Sequence, residues 1–502
     1  MFRSLLRTRI PAMFVALALA ACGGDGGSSP TDPAQQNRRP VADAGLNQSV
    51  VADTLAPVTL NGSGSTDPDG DPLTYAWAFV SRPEGSQASL SAAGTVSPTF
   101  RADLSGNYVI ELTVSDGRLD DKKTVTVAAT CPEPISIAGN YETPQTYGVN
   151  IRNCTDYVVT NHVQFRAATT IQPGTRIAVT AGRRVLVTST GHLNAVGTQA
   201  SPILIFGSQS EAGWWASLAF LSSNPLNELT FVEISDAGVS SSNSNFISTM
   251  IFVGGGARLR MTRSTVRNSS GLGLHADNSA NLSGFASNRF VGNGAAPISV
   301  PARGVGYLDA ATLYQDPAGA SNADPYIRVR PTDIDADQTW VRTNVPLRLS
   351  GDNRTDKNAR LTISAGVVLE FEPGAHLRTV GCSNNSGGSI NATGTAEAPI
   401  IFRGTSEGAG SWGGVDICTN QPGNRLIHVQ VLGGGQTTYS ARRSANVYIL
   451  TNARVEIRNS TFRDSSGWGV WVHPLATVTP GAPESEAAAN TFANNANGNV
   501  GS

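Results

Sequence analysis

The chain has 502 residues, too many for one ordinary core and enough for two or three domains. Its 53 glycines, 15% charged residues and net charge of −2 leave no basic patch of the kind a nucleic-acid binder carries. An apolar share of 40% excludes wholesale disorder.

Residues 1–21 read as an export signal. Arg3, Arg7 and Arg9 form a positive region, and Ala12 to Ala21 is an apolar run too short to stay in a bilayer as a spanning helix. The run ends Leu19-Ala20-Ala21-Cys22-Gly23, which resembles a bacterial lipobox. The resemblance implies that Cys22 is lipidated and becomes the mature N-terminus. It also implies the outer membrane, because Gly23 rather than Asp follows the cysteine. Loss of the leader arginines leaves a net charge of about −5. Residues 22–38 are Gly, Ser, Pro, Asp, Gln and Asn without apolar periodicity, and read as a flexible tether.

Residues 39–129 read as a β-sandwich. Short alternating strands recur at Val58–Leu60, Leu73–Trp77, Tyr108–Val114 and Thr124–Val127. Tyr108, Ile110, Leu112 and Val114 should share an inward face. Ala42-Asp-Ala-Gly45, Leu60 to Pro72, Tyr75-Ala-Trp77, Gly106-Asn-Tyr108 and Leu112-Thr-Val-Ser-Asp-Gly117 together resemble the polycystic-kidney-disease (PKD) type of immunoglobulin-like domain. Trp77 then belongs in its core. Asp67, Asp69 and Asp71 are a candidate Ca²⁺ cluster, set against a hydrogen-bonded turn.

Residues 130–149 read as a linker. From 150 to 502 short apolar runs alternate with Gly, Asn and Ser turns, with no amphipathic helix. Gly191 to Gly207 recurs as Gly388 to Gly404, and the match continues through Trp215/Trp412, Pro225/Pro422, Asn227/Asn424 and Gly238/Gly435. After a length change, Ala257 to Gly271 matches Ala453 to Gly467. Such self-similarity predicts a repetitive object, and parallel strands without helical crossovers predict a coil stacked on itself. Val266 should lie one rung below Phe290, and the turns at Asn268–Gly271, Gly292–Gly294 and Asp464–Gly467 should stack. Thr170-Ile-Gln-Pro-Gly174, Leu193-Asn-Ala-Val-Gly-Thr198, Ser201-Pro-Ile203 and Gly410-Ser-Trp-Gly-Gly414 resemble bacterial right-handed parallel β-helix surface proteins. The expected fold class is therefore all-β: a PKD-type sandwich, then an internally duplicated parallel β-helix. Its copies cover about 150–301 and 341–502, joined by 302–340, either as one stack or as two.

Apart from Cys22, the cysteines fall into two sequence neighbours, Cys131 with Cys154 and Cys382 with Cys418. In an exported chain this predicts two disulfides, with free buried thiols as the alternative. Asp333, Asp335 and Asp337 alternate and form the strongest acidic cluster. They are a second candidate for Ca²⁺, set against a solvated loop. Ca²⁺ is the one cofactor the residues admit. Six histidines show no metal-binding spacing, and no nucleophile elbow or phosphate loop occurs.

The paired carboxylates of a glycosidase are not evident. Glu233 and Asp236 should lie on opposite strand faces. Glu370 and Glu372 should face solvent while Phe371 packs. In Gly271-Leu-Gly-Leu-His-Ala276 and Gly467-Trp-Gly-Val-Trp-Val472, alternation sends Leu272, Leu274, Trp468, Val470 and Val472 inward. It turns His275 and Trp471 outward, and makes Trp471 a candidate sugar platform. The matched Trp215 and Trp412 look structural. The reading is a lipid-anchored envelope protein that binds a glycan or a protein partner without catalysis, and that binds no nucleic acid. A polysaccharide lyase or hydrolase is the alternative from another class, and a purely structural stalk is the third.

Overall fold

A computed structural model of the chain describes residues 36–52, 55–151, 153–239, 248–381, 387–436 and 444–502. Four strands, Gln48–Val51, Asp120–Thr130, Gly106–Ser115 and Thr74–Ser81, form one sheet of the sandwich in that spatial order. Pro57–Thr59 and Thr99–Arg101 pair antiparallel opposite them. Tyr108, Ile110, Leu112 and Val114 are fully buried, as their alternation requires, and Trp77 packs among them. The Tyr108 hydroxyl donates to the Leu104 carbonyl at 2.9 Å, so the polar end of a buried ring is satisfied.

Beyond the sandwich every named strand pair is parallel, and strands recur as three faces of a coil. Arg176–Val179, Val185–Val187 and His192–Val196 occupy successive faces. Each pairs one rung on, with Ile203–Gly207, Leu218–Phe220 and Glu228–Thr230 respectively. Val266 lies directly against Phe290. Rings stack down the interior: Phe290 on Tyr314 at 6.1 Å, Phe371 on Trp412 at 4.0 Å and Phe462 on Phe492 at 5.5 Å. Each rung covers the apolar floor of its neighbour, which is how a solenoid makes a core without a second layer.

The expected linker is part of this stack. Ile135–Tyr141 pairs with the long strand Tyr157–Phe165, and Gln145–Tyr147 pairs with Ala168–Ile171, so the first coil begins at Ile135 rather than near 150. Ile135-Ser-Ile137 is too short a run to read as a strand without its partner.

The two copies form one continuous stack. Ile298–Pro301 pairs with Ile327–Arg330, which pairs with Leu347–Leu349. The junction exchanges faces, however. By strand pairing Ile298–Pro301 continues the face of Val185–Val187, while by sequence match Val368–Phe371 corresponds to Arg176–Val179. Leu347–Leu349 joins Ile298–Pro301, through Ile327–Arg330, to Val368–Phe371. The second copy is therefore turned by one face about the axis. Coil length does this: a 3₁₀ turn at Ala302–Tyr307 stands where the first copy would place a strand.

The turns stack within a copy but not between copies. Ser269 N–H donates to Asn293 Oδ1, and the matched Ser465 donates to Asn495 Oδ1, both at 3.1 Å. The turn at 464–467 thus sits on 494–495 rather than in register with 268–271. Asn268 and Asp464 hold φ of 60° and 58°, a left-handed conformation that these short polar side chains tolerate. Asn227 and Asn424 are equally matched: each is buried and accepts a strand amide at 3.0 Å, from Leu193 and Ile390.

Candidate functional site

The outward rows of the β-helix are where a ligand would meet side chains. On one face of the second copy a register row runs Asp333, Arg354, Arg378, Asp416, Tyr448, Trp471, Gly501. Trp471 points outward, as its alternation predicted, and is half-buried. Its indole stacks on Tyr448 at 4.6 Å and 27°, and His473 meets it edge-on at 6.0 Å. The next rung sets Gly501 opposite Trp471, with no side chain to lay on the indole. Rungs repeat at about 4.8 Å, so the two rings make a continuous apolar strip with polar flanks. Trp468 is half-buried, with Gly498 and Gly501 packed against it.

The first copy carries the same device closed. Phe252 and His275 hold the matched positions and stack at 5.7 Å and 11°. His275 is only 8% exposed, and Arg330 reaches beside it to the Ala276 carbonyl and to Asn278 Oδ1. Burial, helped by the Arg330 charge, pushes the His275 imidazole down to about 4. An unfolded imidazole titrates near 6.5, so between about pH 6.5 and 4 the unfolded chain binds a proton that the native state refuses. Stability is full above that window and falls as pH drops through it. His275→Gln should flatten the acid limb of a thermal-melt series between pH 7 and 4; an unchanged limb would contradict this assignment.

Most aspartates of the two clusters are engaged by protein groups, while Asp67 Oδ2 is buried without a hydrogen-bond partner. Asp67 Oδ1 accepts the Asp69 and Asp71 amides at 2.8 and 3.1 Å, while Asp69 pairs with Arg38 at 2.8 Å. That is the hydrogen-bonded turn. Arg38, by its amide and then its guanidinium, holds Asp69 below the usual carboxylate range. Asp333 pairs with Arg354 at 2.6 Å, and Asp335 with Lys357 at 3.3 Å and Arg303 at 3.6 Å. Asp337 accepts the Arg360 amide at 2.7 Å. No group of three or more metal-ligating side chains converges among the described residues.

Asp335 and Asp337 do, however, line a cleft of about 790 Å³ at the join between the copies. Arg303, Tyr307, Gln338 and Arg360 are among its other walls.

Other carboxylates are also engaged. Glu233 pairs with Arg267 at 2.5 Å, and Asp236 sits in a buried turn and accepts Asn268 at 2.7 Å. Glu370, expected in solvent, is only 8% exposed because Arg348 and Arg403 grip it at 2.8 and 2.7 Å. Phe371 beside it packs inward, as expected. Asp69, Asp103, Asp116, Asp121 and Asp316 are all shifted downward, the reverse of what a general acid needs. Trp215 and Trp412 are fully buried and donate to the Ser235 and Leu432 carbonyls at 2.7 and 2.8 Å, a structural role in both copies.

Cys131 and Cys154 form a disulfide with Cα atoms 5.5 Å apart. Cys418 is buried, and its expected partner Cys382 lies outside the described residues, as does Cys22.

Tyr448 is the residue that sequence reading missed. Its signal was the match with Phe252: both are aromatic and both lie one rung before the His275/Trp471 position.

Residues 44–128 match a PKD-domain family, and residues 333–459 match the pectate-lyase like beta helix domain. Among solved structures, a nucleoside hydrolase-related hypothetical protein from Saccharophagus degradans, associated with carbohydrate metabolism, is 26% identical over 19% of this chain, with a TM-score of 0.17. The matched part is 26% of that protein's length. The PKD domain of KIAA 1837 protein is 29% identical over 22% of this chain and 98% of its own, with a TM-score of 0.16. That of human KIAA0319 is 20% identical over 21% and 95%, with a TM-score of 0.17.

Proposed function

We propose, from a chain built of a PKD-type sandwich followed by a pectate-lyase-like β-helix, that this is a cell-envelope protein whose helix flank holds a glycan without cleaving it. The outward-facing, half-buried Tyr448–Trp471 stack carries this reading. Sugar rings present flat C–H faces that settle on aromatic faces, and a rigid rung spacing pre-organises the contact. The engaged carboxylates support a binding role over hydrolysis. Titration of the purified chain with a panel of envelope and plant-wall polysaccharides, read by tryptophan fluorescence and calorimetry, should find a ligand. Trp471→Ala should weaken it about tenfold, equivalent to ~1.4 kcal/mol. A ligand bound equally by the variant would remove the flank from the argument, and a protein partner lost on the same substitution would replace the glycan. A panel with no ligand at all would leave the stalk.

One observation favours a second reading: residues 333–459 match a family described as pectate-lyase like. Appearance of unsaturated-product absorbance on incubation with acidic polysaccharides would establish lyase activity and defeat the non-catalytic reading.

The Gly-, Ser- and Pro-rich composition ahead of the sandwich and the sequence around Cys22 support lipid anchoring in the outer membrane. Cys22→Ser should move the protein from the membrane to the soluble fraction, and continued membrane fractionation would overturn the anchor.

A further inference from the structure

We infer that the cleft at the join of the two copies is a second carbohydrate site, and that it takes a neutral, hydroxyl-rich oligosaccharide rather than a charged one. The cleft exists because the 3₁₀ turn Ala302–Tyr307 replaces a strand, so that part of the face is recessed. Its floor is fixed by Gln338, whose side chain accepts from the Gly306 amide at 3.0 Å and donates to the Ala302 carbonyl at 3.2 Å. A Cβ at position 306 would come within 2.7 Å of the Gln338 amide oxygen, so the glycine keeps that floor in place.

The walls come from successive rungs: the segment 279–281, the turn at 302–307, the segment 335–339, and Arg360 with Thr362. The cleft therefore runs along the stack axis, where the rung repeat of about 4.8 Å is of the same order as the repeat of an extended pyranose chain. A volume of about 790 Å³ suits a few sugar units.

Charge decides the class. Two guanidinium groups, Arg303 and Arg360, and two carboxylates, Asp335 and Asp337, line the cleft, and Lys357 holds Asp335 from outside the lining at 3.3 Å. An anionic chain would lie against the carboxylates and a basic peptide against the guanidiniums, each at an electrostatic cost. Vicinal hydroxyls, by contrast, donate to a carboxylate and accept from a guanidinium in the same paired geometry. The Arg303–Asp335 contact is loose at 3.6 Å and open to insertion of a hydroxyl. Tyr307, 37% exposed at the rim, offers a ring face for one sugar. This site does not depend on the Trp471 flank, which lies on another sheet.

The full-length chain would be titrated with cellotriose, xylotriose, maltotriose and N,N′,N″-triacetylchitotriose, and with trigalacturonate as the acidic counterpart. At least one neutral trisaccharide should bind. Tyr307→Ala and Arg303→Gln should each weaken it tenfold or more, while Trp471→Ala leaves that component unchanged. Both substituted residues are exposed, and an unchanged melting temperature confirms the fold. If no neutral trisaccharide binds, if binding ignores both cleft variants, or if trigalacturonate binds more tightly than every neutral trimer, the proposal fails. Loss on Trp471→Ala alone would sink the cleft and leave the flank standing; loss on the cleft variants alone would establish the cleft and leave the flank to its own polysaccharide titration.

Discussion

Replacing Trp412 with alanine is expected to remove about 3–5 kcal/mol of stability from the rungs around it. The side chain is fully buried, stacks on Phe371 at 4.0 Å and 13°, and donates its Nε1–H to the Leu432 carbonyl at 2.8 Å. Truncation opens a cavity in the core and leaves a part-buried carbonyl without its donor, and the two losses add. Because each rung contacts only its neighbours, the damage should be local. Hydrogen exchange should accelerate between about 360 and 435 while the first copy stays protected. Trp215→Ala should do the same in the first copy, since Trp215 repeats the burial and the carbonyl contact. Trp471→Ala loses only an outward ring contact, worth about 0.5–1.5 kcal/mol. Equal exchange profiles for Trp412→Ala and Trp471→Ala would show that the inward and outward assignments are wrong.

That contrast between inward and outward rings was legible in the sequence, because alternation and the duplication agree. Trp215 and Trp412 sit in matched contexts beside glycines, and Leu274 and Val470 alternate with His275 and Trp471. The coil itself was legible from Val266 and Phe290. What could not be read was the turning of one copy against the other. Facing is set by coil length, and the coils between 302 and 346 have no counterpart in the other copy to count against. The same gap hid the aspartate partners. Arg354 lies opposite Asp333 only because one rung there takes about a coil of chain, so the sequence alone did not show that Asp333 and Asp335 are ion-paired and that Asp337 accepts a backbone amide.

The repeat preserves interactions more faithfully than residues. Glu228 pairs with Arg260 at 3.6 Å in the first copy, and Arg425 pairs with Glu456 at 3.2 Å in the second, at matched positions with the charges exchanged. The aromatic row behaves alike: Phe252 and His275 become Tyr448 and Trp471, still stacked, but one row is closed under Arg330 while the other is half-open. Duplication thus supplied two copies of one surface. The change of facing at the join separated their neighbours, which under the proposed reading lets one bind a ligand that the other cannot.

Breaking the Cys131–Cys154 bridge is expected to cost about 3 kcal/mol and to loosen the sandwich from the helix. Cys131 follows the sandwich's last strand, Asp120–Thr130, and Cys154 lies in the first coil, so the bond spans the boundary. The boundary has other ties. Ile151 and Cys154 are buried in the sandwich's own core, and Asn153 and Ser105 exchange two hydrogen bonds of 2.9 Å. These ties hold the 148–156 loop against the end of the sandwich, and the bridge limits the entropy that the loop regains on release. Cys131→Ser with Cys154→Ser should therefore lower the first melting transition and expose the segment 131–156 to limited proteolysis. The far rungs, which do not touch the junction, should melt as before. A double variant with the parent's melting profile and the parent's resistance to protease would mean that the packed Ile151 and the Asn153–Ser105 pair hold the junction by themselves.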